Sequence, residues 1–144
     1  MELSATQTIN KPADEVFAFV ADATNNPRWQ RGMRQCAWTS PPPIGVGSTY
    51  RQEARFLGRD VVTEFEVVDH DPGRSITIRS TSGPFPIRVH RAVKPVDAST
   101  SQVSAAISGD PGGFFRLARP LVQRLAQRSV TADYRRLKAL LDSA

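Results

Sequence analysis

The first three-quarters of the chain alternate between hydrophobic and polar residues, which is the pattern of β-strands that bury one face. In the clearest case Val61, Phe65 and Val67 share one parity, whereas Glu64 and Glu66 share the other. Such segments recur about every 8–12 residues between turn-forming residues, a spacing that favours an antiparallel sheet. The predicted strands are Leu3–Ile9, Met33–Trp38, Ser48–Phe56, Val61–Val68, a segment around Ile76 and Ile78, Ile87–Lys94, and a last segment with Val103, Ala105 and Ile107.

Proline and glycine mark the turns between these strands. Asp69–Gly73 is predicted to be a turn, because proline fixes φ and glycine accepts positive φ, and His70 is expected to be exposed there. Ser82–Pro86 is predicted to form a second turn.

Helical patterns lie after the first strand and at the C-terminal end. Asn10 is expected to cap a short helix with Pro12 in its first turn, and Pro27–Gln30 is expected to form a second, shorter one. Asp110 and Pro111 are predicted to begin a long helix, which Pro120 should kink. The positions predicted to form its apolar face are Phe114, Leu117, Ala118, Leu121, Leu125, Ala132, Leu137, Leu140 and Leu141.

This order of elements predicts an α+β fold. A strand, two short helices, six strands and a long helix suit a curved antiparallel seven-stranded sheet wrapped around the long C-terminal helix. Such an arrangement commonly leaves a hollow between sheet and helix, so it predicts a ligand site there. The length of 144 residues is that of one domain, 1–144.

The positive charge is concentrated at one end of the chain. Residues 1–110 carry twelve basic and twelve acidic residues, whereas residues 111–144 carry seven basic and two acidic ones. The excess on the last helix indicates either a solvated polar face or a docking surface for anionic lipid or an acidic partner. Nucleic acid is not an expected partner, because stacking aromatic residues are not interleaved with the basic ones. The first residues lack the features of a secretory signal, so a cytoplasmic location is expected.

Motifs for cofactor or metal chemistry are not found in the sequence. Gly45-Val46-Gly47 precedes a strand and lacks a lysine, so a simple loop is expected there rather than a phosphate site. Two histidines and the lone Cys36 give no metal-ligand spacing and no internal disulfide. No cofactor and no metal are therefore predicted.

The strand alternation predicts that one polar residue, Arg91, points inward. It shares its parity with Ile87, Val89 and Val93, so it is expected to face the hollow. A buried charge needs a partner. Two hypotheses follow: an ion pair with an acid near the rim, or a carboxylate or other anionic head group of a ligand held by the guanidinium fork.

Large side chains supply most of the other candidates for the lining of the hollow. Core packing is the first hypothesis for each large residue. Phe85 lies between two prolines and Phe114 follows two glycines, so the second hypothesis for these two is that they border the mouth of the hollow. The full set of predicted ligand-binding residues is Trp29, Trp38, Tyr50, Phe56, Phe65, Ile78, Phe85, Val89, Arg91, Phe114 and Leu121.

Several segments together resemble a known family over nearly the whole chain. They are Ile9–Phe17 with Asp22 and Asn26–Trp29, Val46–Ser48, Val89–Pro95 with Ser101–Val103, and Leu121 through Leu137–Leu141. The chain resembles the START-like, helix-grip superfamily called SRPBCC, and within it the bacterial polyketide cyclase/dehydrase and lipid-transport group. The resemblance implies a deep, mostly apolar cavity used for lipids, polyketides, sterols or other hydrophobic ligands.

Three functions remain as hypotheses. The first is a cytoplasmic protein that binds or carries a hydrophobic small molecule. The second is a cyclase or dehydratase using the same cavity, with His90 and Arg91 as the residues to test for proton transfer. The third is an interaction module whose basic helix contacts anionic membrane surfaces. The family has no universal catalytic set, so no catalytic residue is predicted from the resemblance.

Overall fold

The computed structural model describes residues 1–56, 58–110 and 119–144, without the side chain of Phe56. The strands are β1 (Glu2–Ile9), β2 (Met33–Trp38), β3 (Thr49–Phe56), β4 (Arg59–Asp71), β5 (Ser75–Ser82), β6 (Ile87–Asp97) and β7 (Thr100–Gly109). The helices are α1 (Ala13–Ala21), α2 (Asn26–Trp29) and α3 (Arg119–Asp142), and Ala23–Asn25 form a 3-10 turn. Among these residues no helix combines the length and apolar character that crossing a membrane requires.

The described strands form one antiparallel sheet in the order β1-β7-β6-β5-β4-β3-β2. After β1 the chain crosses to the opposite edge of the sheet and returns strand by strand, so β7 ends beside β1. The helices α1 and α2 lie within the crossing, and α3 follows β7. The predicted α+β helix-grip architecture is confirmed.

The core lies between the inner face of the sheet and the helices. Alternation along each strand sends one parity inward, so Tyr50, Phe65, Val67, Val89 and Val103 are buried together. The helices contribute the other half of this core. Their buried residues include Val16, Phe17, Val20, Trp29, Tyr134, Leu137 and Leu141.

The start of α1 differs from the prediction. Its N-cap position is Pro12, not Asn10, and no side chain caps it. The backbone of Asn10 instead donates a hydrogen bond to Asp142 Oδ1, at 2.8 Å. The Pro12 carbonyl accepts from the Val16 amide, so the first hydrogen bond of the helix begins at Pro12.

The end of β4 also differs from the prediction. The strand continues through Asp71, and His70 pairs with Ile76 of β5. His70 is half-buried and stacks on Phe17 with the ring centroids 6.0 Å apart. The turn is therefore shorter than predicted, because backbone pairing with β5 outweighs the turn preference of Asp69 and Asp71.

The predicted inward face of α3 is partly wrong. Leu121 and Leu125 are 56% and 40% exposed, whereas Val122 and Ala126 are buried. The helix is rotated by about one residue from the predicted phase in this part, and its Leu137 and Leu141 are buried as predicted. The predicted helix start, with Phe114, Leu117 and Ala118, lies outside the described residues. The kink at Pro120 stays a prediction.

Side chains of α3 bond the free backbone edge of β1. Gln127 donates from Nε2 to the Ser4 carbonyl at 2.7 Å and accepts at Oε1 from the Ser4 amide at 3.1 Å. Lys138 donates to the Thr8 carbonyl at 2.6 Å, and Gln123 donates to that of Glu2 at 3.3 Å. These bonds fix α3 along one margin of the sheet.

Candidate functional site

A cavity of about 250 Å³ lies between the sheet and α3. This is near the lower end of the usual range of small-molecule sites, about 300–1,000 Å³. Its lining is mostly apolar. The sheet contributes Leu3, Tyr50, Ala54, Val61, Phe65, Ile78, Val89, Arg91 and Ile107, α3 contributes Ala126, Ser129, Val130 and Asp133, and Gln30, Gly32 and Met33 complete one end.

Six of the residues predicted to bind a ligand meet at this cavity. They are Tyr50, Phe65, Ile78, Phe85, Val89 and Arg91. Phe85 lies in the turn between β5 and β6 and is half-buried. Whether Phe85 controls access stays a prediction.

Three of the predicted residues lie elsewhere. Leu121 is on the exposed side of α3, because of the helix phase described above. Trp38 lines a separate space of about 10 Å³, which is roughly the volume that one water molecule needs. Trp29 is fully buried beneath the cavity rather than on its surface. Phe114 and the side chain of Phe56 lie outside the described residues.

Arg91 is held in place by two aromatic residues. Its Nε donates to the Tyr134 hydroxyl at 3.0 Å, and its guanidinium carbon lies 5.4 Å from the centre of the Trp29 ring. Trp29 and Tyr134 themselves pack edge to face, with centroids 4.9 Å apart. The guanidinium is therefore fixed by a hydrogen bond and a cation–π contact before any ligand arrives.

Arg91 forms no ion pair with a carboxylate in the described part of the chain. Burial acts to lower its pKa, but the Tyr134 and Tyr50 hydroxyls outweigh burial and the pKa is raised. The side chain thus stays cationic. The rim ion pair of the first hypothesis is therefore absent among these residues. Arg91 lines the cavity, and of its guanidinium donors only Nε has a hydrogen-bond partner in the described part of the chain.

Gln30 and Asp133 are two of the polar residues of the cavity wall that sequence reasoning missed. Gln30 has a buried Nε2 with no hydrogen-bond partner in the described part of the chain. Asp133 accepts hydrogen bonds from the Arg31 amide and from Arg136. Burial raises the pKa of Asp133, and these bonds only partly oppose the shift. Neither residue lies in a strand, so strand alternation gave no indication of where they point.

Gly32 is a third missed residue, and it shapes the same end of the cavity. A Cβ atom there would lie 2.8 Å from the Arg55 carbonyl oxygen, and the Arg55 amide donates to the Gly32 carbonyl at 2.7 Å. Only glycine allows this approach of the two backbones. A glycine directly before a predicted strand was the available sequence indication.

His90 is not part of the cavity. It is exposed on the outer face of β6, and its Nδ1 lies 2.8 Å from the Thr77 hydroxyl. Of the two residues named for a test of proton transfer, only Arg91 therefore lines the cavity, because neighbouring residues of a strand point to opposite faces. Burial raises the pKa of Cys36 to about 11, so its thiol stays protonated and weakly nucleophilic near neutral pH.

The described residues contain no group of three or more histidine, cysteine, aspartate or glutamate side chains able to hold a metal ion. Within them, the cavity is mostly apolar, and its wall also carries two arginines, two amides and two carboxylates, namely Arg55, Arg91, Gln30, Gln52, Asp110 and Asp133.

Comparison with solved structures supports the same architecture. A START superfamily protein from Mycobacterium smegmatis is 17% identical, with a TM-score of 0.82 and coverage of 99% of this chain and 97% of that one. The ZhuI aromatase/cyclase from Streptomyces sp. R1128 is 17% identical, with a TM-score of 0.81 and coverage of 99% and 93%. A protein from Thermus thermophilus is 20% identical, with a TM-score of 0.80 and coverage of 96% and 95%. These similarities show a shared fold.

A family model adds the classification. No curated protein matches the sequence significantly. The model described as "Polyketide cyclase / dehydrase and lipid transport" matches residues 1–142. The chain therefore belongs to the polyketide cyclase/dehydrase and lipid transport family, with the START-like helix-grip fold.

Proposed function

We propose that the protein is a cytoplasmic binding or carrier protein for a hydrophobic small molecule with a carboxylate or similar anionic head group. The observation that carries this proposal is Arg91, a fixed cation on the wall of an apolar cavity without a carboxylate partner among the described residues. The family classification supports a hydrophobic ligand. The positive charge of Arg91 supports an anionic head group on that ligand.

The energetics favour this ligand class over a neutral one. Burial of the apolar body would contribute about 25 cal/mol per Å². A half-buried cation on an apolar wall loses part of its hydration, and an anionic head group offsets that cost. The guanidinium can donate two parallel hydrogen bonds to a carboxylate, which fixes the orientation of the ligand as well as its charge.

A matched pair of probes tests the proposal. Decanoate and decanol share an alkyl chain and differ in charge, so calorimetric titration of both measures the preference for an acid. We expect the wild-type protein to bind decanoate more tightly. Arg91→Leu should weaken decanoate binding by roughly 10- to 100-fold and leave decanol nearly unchanged, because a hydrogen bond to a charged group contributes about 1.5–3 kcal/mol.

Arg88→Leu is the control, since Arg88 is an exposed arginine of the same strand that points to the opposite face. It should leave both affinities unchanged, and thermal unfolding should show that both variants are folded. Equal affinity of folded Arg91→Leu and wild-type protein for decanoate would refute the proposed role of Arg91. Failure to bind either probe or any co-purified lipid would refute the carrier function.

One observation favours a second function, catalysis of the cyclase type. The matching family model is described by polyketide cyclase / dehydrase as well as by lipid transport. The similarly folded ZhuI protein is an aromatase/cyclase. Conversion of a poly-β-ketone thioester by the purified protein, followed by chromatography, distinguishes this function from binding alone.

A further inference from the structure

The exposed side of α3 carries an unusual combination of residues. Leu121, Arg124, Leu125, Arg128 and Arg135 are all exposed, and we call them the outer stripe. At about 100° per residue, positions separated by three, four, seven and fourteen residues fall on one side of a helix. The outer stripe is thus a continuous surface that mixes two leucines with three arginines.

The arginines of the outer stripe have no partner among the described residues. In the part of the chain that the structure describes, Arg124, Arg128 and Arg135 form no hydrogen bond or ion pair. The two acids of α3 are engaged elsewhere: Asp133 contacts Arg136 at the cavity wall, and Asp142 bonds Lys138 and the Asn10 amide. The stripe therefore presents positive charge that nothing described on the helix neutralises.

We propose that the outer stripe docks on an anionic membrane surface. Arginine forms paired hydrogen bonds with phosphate groups, and leucine enters the boundary between head groups and acyl chains. A nucleic acid would satisfy the arginines but not the leucines. A second copy of the stripe would set arginine against arginine. An anionic lipid surface is the partner that matches both residue types.

The outer stripe and the cavity lie on opposite sides of α3. Ala126, Ser129, Val130 and Asp133 line the cavity from the same turns of α3 that carry Leu125 and Arg128 on the other side. Docking would therefore place one wall of the cavity directly against the lipid surface. The docking itself does not depend on which ligand the cavity holds.

Sedimentation of the full chain with vesicles tests the proposal. One set of vesicles is phosphatidylcholine and the other contains an added fraction of phosphatidylglycerol. We expect binding to the anionic vesicles at low salt and a loss at high salt, because screening weakens charge attraction. Arg124→Glu with Arg128→Glu should lower the partition coefficient by at least roughly 30-fold, since each basic residue near such a surface contributes about fivefold.

Leu121→Ser with Leu125→Ser should lower the partition coefficient several-fold without changing its salt dependence. Two matched controls separate the effect of the outer stripe from the general effects of surface charge and of exposed apolar residues. Arg79→Glu with Arg88→Glu makes the same charge change on exposed positions of the sheet, and Val46→Ser with Val96→Ser makes the same kind of apolar change on exposed loop and strand positions. Both controls should retain wild-type binding.

Three outcomes would overturn the inference. The first is no binding of the wild-type protein to anionic vesicles at low salt. The second is an equal loss in the controls, which would show unspecific attraction. The third is binding to heparin or to double-stranded DNA, or self-association, that depends on the stripe while vesicles are not bound. Decanoate titration is independent of these outcomes, so failure of docking and failure of the cavity proposal are distinguishable.

Discussion

At the scale of single residues, the sequence predicts the direction of the Arg91 side chain but not that of Gln30. Strand alternation placed Arg91 on the inner face of β6, next to Val89 and Val93, and the structure places it there. Gln30 follows a one-turn helix, where no period is long enough to indicate a direction. Its buried amide nitrogen nevertheless lies in the cavity wall with no partner among the described residues.

We expect Gln30→Leu to have opposite effects on stability and on binding. An unpaired buried amide costs about 1–3 kcal/mol, so the free protein should unfold at a higher temperature in the variant. If the amide donates to the ligand, decanoate affinity should fall several-fold. Differential scanning fluorimetry and calorimetric titration measure the two effects. Gln35→Leu, at an exposed position of β2, is the control.

A lower unfolding temperature with unchanged affinity would contradict this assignment. It would mean that Gln30 stabilises the free protein rather than the complex.

At the scale of elements, the long helix shows why its phase was difficult to predict. Leucine occurs on both sides of α3: Leu121 and Leu125 are exposed, and Leu137 and Leu141 are buried. The buried side of the first turns is made by the smaller Val122 and Ala126, and the cavity lies against Ala126. A rule that assigns the largest apolar residues to the interior fails where the interior is hollow.

Asp22 joins two elements, and its removal should be measurable. Its Oδ1 accepts from the Thr24 amide and hydroxyl and from Trp38 Nε1 at 2.9 Å, so it fixes the turn after α1 to β2. We expect Asp22→Ala to lower the free energy of unfolding by about 1–2 kcal/mol at pH 7. Urea unfolding measures it, with Asp69→Ala, an exposed acid, as the control.

The effect of Asp22 should depend on pH in a definite direction. Burial raises the pKa of Asp22, but the bonds from Trp38 and Thr24 outweigh burial and the pKa lies below its usual range. A depressed pKa in the folded state gives stability that is present above the unfolded pKa of about 3.9 and is lost as the pH falls through the folded value. The difference between wild-type protein and Asp22→Ala should therefore shrink below about pH 4. A difference that stays constant to about pH 2 would contradict it.

At the scale of the whole molecule, local sequence patterns predicted the fold better than they predicted the candidate site. The seven antiparallel strands were predicted from turn spacing, and the two short helices after the first strand from local helix signals, whereas the strand order comes from the structure. The cavity depends on contacts between distant residues, such as Arg91 with Tyr134, which are 43 positions apart. Such contacts require the phase of α3 against the sheet, and no local pattern contains it.

The volume of the cavity between sheet and helix can be tested by filling it with a larger side chain. Ala54 is half-buried on β3 and lines the cavity. Ala54→Phe should fill part of the 250 Å³, lower decanoate affinity at least tenfold and leave the unfolding temperature unchanged or higher, because apolar surface becomes buried in an existing space. Ala37→Phe, exposed on β2, is the control. A large loss of stability in Ala54→Phe would show that the space is not open to a side chain.

The bonds between Gln127 and Ser4 have a consequence for the behaviour of the protein in concentrated solution. A strand edge with unpaired amides and carbonyls is a template for pairing with another chain, and from there for aggregation. Gln127 presents one donor and one acceptor to Ser4, as a neighbouring strand would, and Gln123 and Lys138 occupy further carbonyls of β1. Part of the edge is therefore occupied by side chains of the molecule's own helix, which leaves an incoming strand fewer partners along β1.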